Sequence, residues 1–209
     1  MKLALFYDTE TTGLPLFSEP SEDPRQPHLV QLAAALVDLD TRETLSSIDV
    51  IIKPNGWTIP EDVTAIHGIS TEMANDVGVV EHAAVEMFLD LWNHRTRIAH
   101  NETFDARIMR IALKRYVDPL DPAFPFSDKW KAGKAECTAK LSTPIVKAPA
   151  TEKMKAVGRF HHKTANLSEA FLHFTGKPLE NAHSAMADVQ GCIAVYFGVQ
   201  DAQKALVEA

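Results

Sequence analysis

Three groups of acidic and histidine residues are spaced so that they could carry chemistry. Asp8 and Glu10 lie two apart at the end of the apolar run 3–7. On a strand, where side chains alternate, both carboxylates point to one face. Neighbouring carboxylates repel unless a cation, a proton or solvent separates them, and hard oxygen ligands of this kind suit Mg²⁺ or Mn²⁺. A solvated turn supplies the same Asp-x-Glu pair, so the pair acquires meaning only from what meets it. Asp105, at the end of His100-Asn101-Glu102-Thr103-Phe104-Asp105, falls in the first turn of an expected helix, where the macrodipole favours an acid with or without chemistry. His183 and Asp188 are five apart, an offset that turns about 500° in a regular helix and leaves them about 140° out of alignment. They can converge if His183 lies in the loop before the helix and Asp188 one turn inside it; otherwise both are surface residues.

The elements that must position these groups follow from pattern. Residues 3–7 form a short buried strand that opens into Thr11-Thr12-Gly13. Residues 15–28 hold four of the twelve prolines, which predicts an irregular and mobile surface excursion. The runs 29–39 and 45–53, separated by the polar turn 40–43, join the first strand in an antiparallel meander, although Ala33-Ala34-Ala35 suits a helix equally well. Apolar spacing predicts an amphipathic helix over 80–92, then a strand at 97–100. Phe104, Ile108, Ile111 and Ala112 share one face of the next helix, capped by Asn101 or Thr103. Further helices are expected at 167–175, ended by Gly176 and Pro178, and at 184–197, where Val189, Cys192, Ile193 and Tyr196 share a face. Strands first and helices later, with some alternation, give an α/β or α+β sheet covered by helices.

Composition narrows the class. With 209 residues, 45% hydrophobic and 23% charged, the chain has the make-up of an ordinary globular protein, and one domain over 1–209 is expected. Cys137 and Cys192 are far apart and belong to no Cys/His cluster, which argues against a disulfide framework or zinc and fits reduced thiols in the cytoplasm. The five apolar residues that precede Asp8 are too few for a signal-peptide core, and no run approaches a membrane span. A net charge of −7 argues against coating nucleic acid by bulk electrostatics. The charge is uneven, however. Residues 129–163 contain nine Lys or Arg and two acids, a balance of +7, while the remainder, with 12 basic and 26 acidic residues, carries −14. That positive stretch is the expected path of a polyanionic strand, against the simpler reading of a solvated lysine-rich loop.

Taken together, Asp8-Thr9-Glu10-Thr11-Thr12-Gly13, His100-Asn101-x-x-Phe104-Asp105 and His183-x-x-x-x-Asp188 resemble, in order and spacing, the three motifs of the DEDDh branch of the DnaQ-like 3′–5′ exonucleases. Ile66-His67-Gly68-Ile69, and Cys137-Thr138 followed by Leu141, are similar to further pieces of that family. The resemblance runs from about residue 2 to 198, and departs from the usual pattern at 15–28 and 144–159.

The resemblance implies a ribonuclease-H-like α/β fold: a mixed sheet, part antiparallel meander and part parallel, with helices on both faces. It assigns Asp8, Glu10, Asp105 and Asp188 to two divalent metal ions, Mg²⁺ or Mn²⁺. Asp8 would bridge them, Glu10 and Asp188 would complete the ion on the water side, and Asp105 would serve the leaving-group ion. His183 becomes the general base, imidazole being poised near neutral pH. Thr11, Thr12, Leu14, Ile66, His67, Asn101 and Phe104 would hold the terminal nucleotide, although core packing explains Ile66 and Phe104 equally well. The expected partner is the 3′ end of single-stranded nucleic acid, DNA before RNA, and the product a nucleoside 5′-monophosphate. The alternatives are a 3′–5′ exoribonuclease and a catalytically silent module that binds nucleic acid or a polymerase. Only 21 residues follow Asp188, so the polymerase-binding tail of a proofreading subunit is not expected, and neither is a membrane partner.

Overall fold

In the computed structural model, which describes residues 1–123 and 125–208, five strands form one mixed sheet. They are β1 (Leu3–Thr11), β2 (Leu29–Asp38), β3 (Thr44–Ile51), β4 (Thr96–Ala99) and β5 (Ala135–Cys137), in the order β3-β2-β1-β4-β5. β1 pairs antiparallel with β2 and β2 with β3, whereas β1 and β4, and β4 and β5, run parallel. The meander is therefore present, and Ala33-Ala34-Ala35 lies within β2 as strand. A strand in the middle of a sheet covered on both faces reads as a continuous apolar run, which explains why the alanines carry no visible alternation.

Helices pack on both faces. Leu5 and Tyr7 join a layer built with α3 (Glu81–Trp92), α4 (Glu102–Tyr116) and α5 (Phe126–Ala132). Ala4 and Phe6 turn the other way, with Ala33, Ala35 and Ile98, onto α9 (Ala185–Glu208). Asp8 and Glu10 continue this second set, so strand periodicity alone delivers their carboxylates to the α9 face. The short helices α1 (Glu61–His67), α2 (Thr71–Val77), α6 (Thr138–Val146) and α7 (Glu152–Ala156) are absent from the pattern reading, and α8 (Leu167–Thr175) matches it. No described helix is long and apolar enough to cross a membrane.

The excursion 15–28 has no regular structure, as its prolines predict, and it is fastened by hydrogen bonds at several points. Gln26 ties it internally, accepting from the Leu16 N–H and donating to the Leu16 and Pro20 carbonyls at 3.0, 3.0 and 2.9 Å. Arg107 of α4 donates to the Glu19 carbonyl and Arg115 to those of Pro27, at 2.7 Å, and Gln26. Two guanidiniums thus fasten the segment to α4 as a strap.

Candidate active site

Four elements converge at the C-terminal end of β1. The β1–β2 register shifts between Glu10 and Thr11, so the ladder breaks beside the two carboxylates. α4 begins where β4 ends and carries Asp105 in its first turn. The Thr9 N–H and hydroxyl both donate to Asp105 Oδ1, at 3.1 and 2.8 Å, locking this buried carboxylate against β1. Glu102, one turn ahead, accepts from buried Arg97 at 2.8 Å and from the Tyr7 hydroxyl at 3.3 Å, and Arg97 also lies 4.2 Å over the Trp130 ring. The start of α4 is therefore fixed to β1, β4 and α5 together.

His183 sits in the turn before α9, in the left-handed region at φ 70°, and Asp188 lies in the helix's first turn. The His183 N–H donates to Asp188 Oδ2 at 3.2 Å. The angular conflict of a five-residue offset is removed because His183 is outside the helix. One ligand atom from each of Glu10, His183 and Asp188 falls within 4.8 Å of the others, the tight cluster among the described residues. Asp8 and Asp105 stand outside that triad but next to it electrostatically. Burial, and then the charges of Asp105, Asp188 and Glu10, hold Asp8 well above the usual carboxylate range. Burial, then Asp188 and Asp105, push Glu10 up to about 8. Asp105 and Asp188 are raised as well, chiefly by burial.

Four carboxylates raised in one place are an arrangement that a cation relieves. Asp188 Oδ1 is buried and lacks any hydrogen-bond partner among the described residues, as a ligand atom would. The donor set, all hard oxygen apart from one imidazole, fits Mg²⁺ or Mn²⁺ and is unlike the Cys/His sets of structural zinc.

The expected nucleotide-holding residues are partly gathered here. His67, at the end of α1, is half-buried and close enough to His183 for that charge to help depress its pKa, after burial. Its Nδ1 accepts from the Ile69 N–H at 3.1 Å, so in the neutral ring Nε2 carries the proton, and that atom is buried without a partner. Ile66 and Leu14 are exposed, 56% and 78%, which removes the core reading for Ile66. Phe104 packs partly against the core beside α3 and α4. Thr11 Oγ1 donates to the Gly13 carbonyl at 2.7 Å, and Thr12 exchanges bonds with the His28 backbone. Asn101 is exposed and left-handed at φ 65°, and its side chain caps nothing. Asn101 thus occupies the N-cap position of α4, as expected, but makes no side-chain cap bond, and the helix start is held by the Glu102 network.

Other roles carried a weaker sequence signal. Gln31, a polar residue within the apolar run of β2, accepts from the Ala185 N–H at 3.1 Å and donates to Asp49 at 2.7 Å, which fixes the α9 start and with it His183 and Asp188. His100 is half-buried between Thr138 and Ala165: Nε2 meets the Ala165 carbonyl at 3.1 Å, so it must donate, and Nδ1 accepts from the Thr138 hydroxyl at 2.9 Å. In the positive stretch 129–163, Lys155 pairs with Glu152 and Lys163 with Glu169.

The chain is similar to solved exonuclease I structures. The E. coli enzyme in complex with a dT13 oligonucleotide shares 20% identity over 100% of this chain and 43% of that one, with a TM-score of 0.73. Exonuclease I from Methylocaldum szegediense shares 21% over 98% and 41%, at 0.68. A product-bound exonuclease I structure shares 19% over 100% and 45%, at 0.71. The chain spans less than half the length of these proteins, and at such identities the likeness is one of fold. No curated protein matches it. The sequence model of the RNase_T family, described as exonuclease, matches residues 5–196. The three motifs in order, the mixed sheet that brings them to one strand end and this match along nearly the whole chain show that it belongs to the RNase_T exonucleases, the DEDDh type of the DnaQ-like, ribonuclease-H-like superfamily.

Proposed function

We propose that this protein removes nucleotides from the 3′ end of single-stranded nucleic acid, DNA in preference to RNA, and releases nucleoside 5′-monophosphates. The observation that carries the reading is the meeting of Asp8, Glu10, Asp105 and Asp188 with His183 at the end of β1. The four carboxylates would hold two divalent ions, Mg²⁺ or Mn²⁺. Bound there, the ions would supply Lewis-acid polarisation of the phosphodiester and neutralise charge at the attacked phosphorus. His183, outside the helix and exposed, accepts the proton of the attacking water. The new P–O bond forms as the P–O3′ bond breaks, and the phosphate stays on the departing nucleotide. Thr9, Gln31 and the Arg97–Glu102 pair hold the carboxylates in place before substrate arrives, so little reorganisation is required during reaction.

Thr11, Thr12, Leu14, Ile66, His67, Asn101 and Phe104 form the terminal-nucleotide contacts. Exposed Ile66 and Leu14 offer apolar faces that any base can stack on, and His67 Nε2 offers a buried donor. The preference for DNA is supported by the single-stranded DNA in the similar exonuclease I complexes. Cys137 and Cys192 are unpaired, in keeping with a cytoplasmic location.

The test is digestion of matched 5′-labelled DNA and RNA strands with Mg²⁺, Mn²⁺ or chelator. Stepwise shortening of the 5′-labelled DNA, abolished by chelator and by Asp8→Asn in a folded protein, is expected. Release of the 5′ label first, or activity that survives chelation, would refute the reading.

A further inference from the structure

We propose that a cationic groove on the outer side of α4 binds the single strand on the 5′ side of the nucleotide being removed. This rests on the 3′-exonuclease reading above and adds a second binding site to it. The groove, a cavity of about 260 Å³, lies between the strap, α4 and α5 and includes Phe17, Thr103, Arg107, Arg110, Trp130 and Lys131.

Its chemistry is that of a strand-binding surface. Thr103, Ala106, Arg107 and Arg110 recur at i, i+3, i+4 and i+7, forming one stripe along the helix. Arg107 and Arg110 stand side by side, and burial together with the neighbouring Arg110 charge holds Arg107 below the usual guanidinium range. The Nε atoms of both are buried and have no hydrogen-bond partner among the described residues. Arg110 pairs with exposed Asp128 at 3.8 Å, Glu22 lies close enough to feel both guanidiniums but pairs with Lys114, and Lys131 makes no ion pair among the described residues. Two adjacent guanidiniums and Lys131, only partly balanced by Asp128 and Glu22, favour an anion at the groove. Phe17, on the strap, is 60% exposed beside them, a large ring held out in solvent where a base can stack. The Arg107 bonds to the strap keep this ring at the groove. Phosphate-binding cations next to a stacking ring are the pairing that single-strand recognition uses, and it requires no base sequence.

Position agrees with chemistry. Asp105 and the groove share one helix: Arg110 is five residues beyond Asp105, about 7.5 Å along the axis, on the side turned away by about 140°. A strand whose 3′ end lies at Asp105 and which passes Asn101 at the helix start must cross about one helix width, 10–12 Å, to reach Arg110. The groove therefore touches nucleotides upstream of the terminal one and leaves the reacting end alone.

The test measures binding and cleavage separately. Phe17→Ala with Arg110→Gln and Lys131→Gln is compared with the charge-matched control Lys53→Gln and Lys204→Gln; Arg107, which holds the strap, is kept, and thermal unfolding confirms that each variant is folded. In chelator, affinity for a labelled single strand of about 20 nucleotides should fall about tenfold in the triple variant, and the slope of log affinity against log salt should flatten by about 1.4, two phosphates at about 0.7 each. With metal, KM for the long strand should rise while a dinucleotide is cleaved as before; the control should match the parent throughout. Parent-like affinity and slope in the triple variant would overturn the groove, as would equal losses on the dinucleotide and the long strand. If the parent binds the strand in chelator but never shortens it with metal, the exonuclease reading falls instead, and the binding data alone then decide the groove.

Discussion

Without divalent metal the fold should weaken as pH rises, and Glu10→Gln should remove part of that dependence. Burial and the Asp188 and Asp105 carboxylates push Glu10 from 4.5 up to about 8. Between those values the folded chain retains a proton that the unfolded chain has already released. The unfolded state thus binds fewer protons, and the free energy of unfolding falls with rising pH. The contribution is fully present below about pH 4.5 and is gone above about pH 8. At about 1.4 kcal/mol for each tenfold change in proton activity, the whole interval amounts to about 5 kcal/mol. Glu10 is half-buried and reaches water, and screening reduces this upper limit to about 1–2 kcal/mol. For a chain of this size that is about 2–8 °C in melting temperature. Asp8, Asp105 and Asp188 are shifted the same way, so the Gln variant should flatten the profile without levelling it. Saturating Mg²⁺, at about a hundred times its dissociation constant, should restore about 2.7 kcal/mol near pH 8. The assay is urea unfolding at about pH 5 and about pH 8, in chelator and in Mg²⁺. Equal stability at both pH values in chelator, or the same profile in Glu10→Gln, would show that these carboxylates do not oppose one another in the metal-free fold.

Replacing His183 with Ala should lower turnover about 10²- to 10⁴-fold, the range for a positioned general base, while Mg²⁺ binding measured by calorimetry stays close to the parent's. Gln31→Ala leaves the Ala185 N–H without its acceptor, at a cost of about 1–3 kcal/mol; kcat should fall with KM little changed, since the α9 start loses its anchor and the nucleotide contacts do not. Arg97→Met leaves the half-buried Glu102 carboxylate with only the Tyr7 hydroxyl and should lower stability by about 2–4 kcal/mol, read as a reduced urea midpoint, whereas Lys155→Met, which breaks the exposed pair with Glu152, should change it by less than about 1 kcal/mol.

What the sequence made legible was local. Period two placed Asp8 and Glu10 on one face, helical spacing marked α3, α4, α8 and the first half of α9, and helix rotation required His183 to leave the helix if it was to meet Asp188. What stayed hidden depended on partners distant along the chain. Gln31 meets Ala185 across 154 residues, and Arg107 and Arg115 reach the strap across about 90; the prolines of 15–28 describe its lack of regular structure and say nothing of what holds it. The helices α1 and α7, seven and five residues long, bury no side chain and so leave no apolar period to read. Counting charge along the chain singled out 129–163 and passed over Arg107 and Arg110, which lie outside that stretch in sequence but beside Lys131 in space.

This division follows from how the molecule distributes its stability. The four carboxylates, each raised by burial and two of them, Asp8 and Glu10, also by the others' charge, should weaken the metal-free fold, and the same repulsion would give a cation its affinity for the site. The stabilising free energy must therefore lie elsewhere, in the apolar layers on either side of β1, built from the continuous apolar runs of β1 and β2 and the helices packed on them. The polar anchors Thr9, Gln31 and Arg97–Glu102 add little net stability of their own. Their effect is to connect those layers to the carboxylates, so that rigidity created where residues are apolar is passed to the place where they are charged.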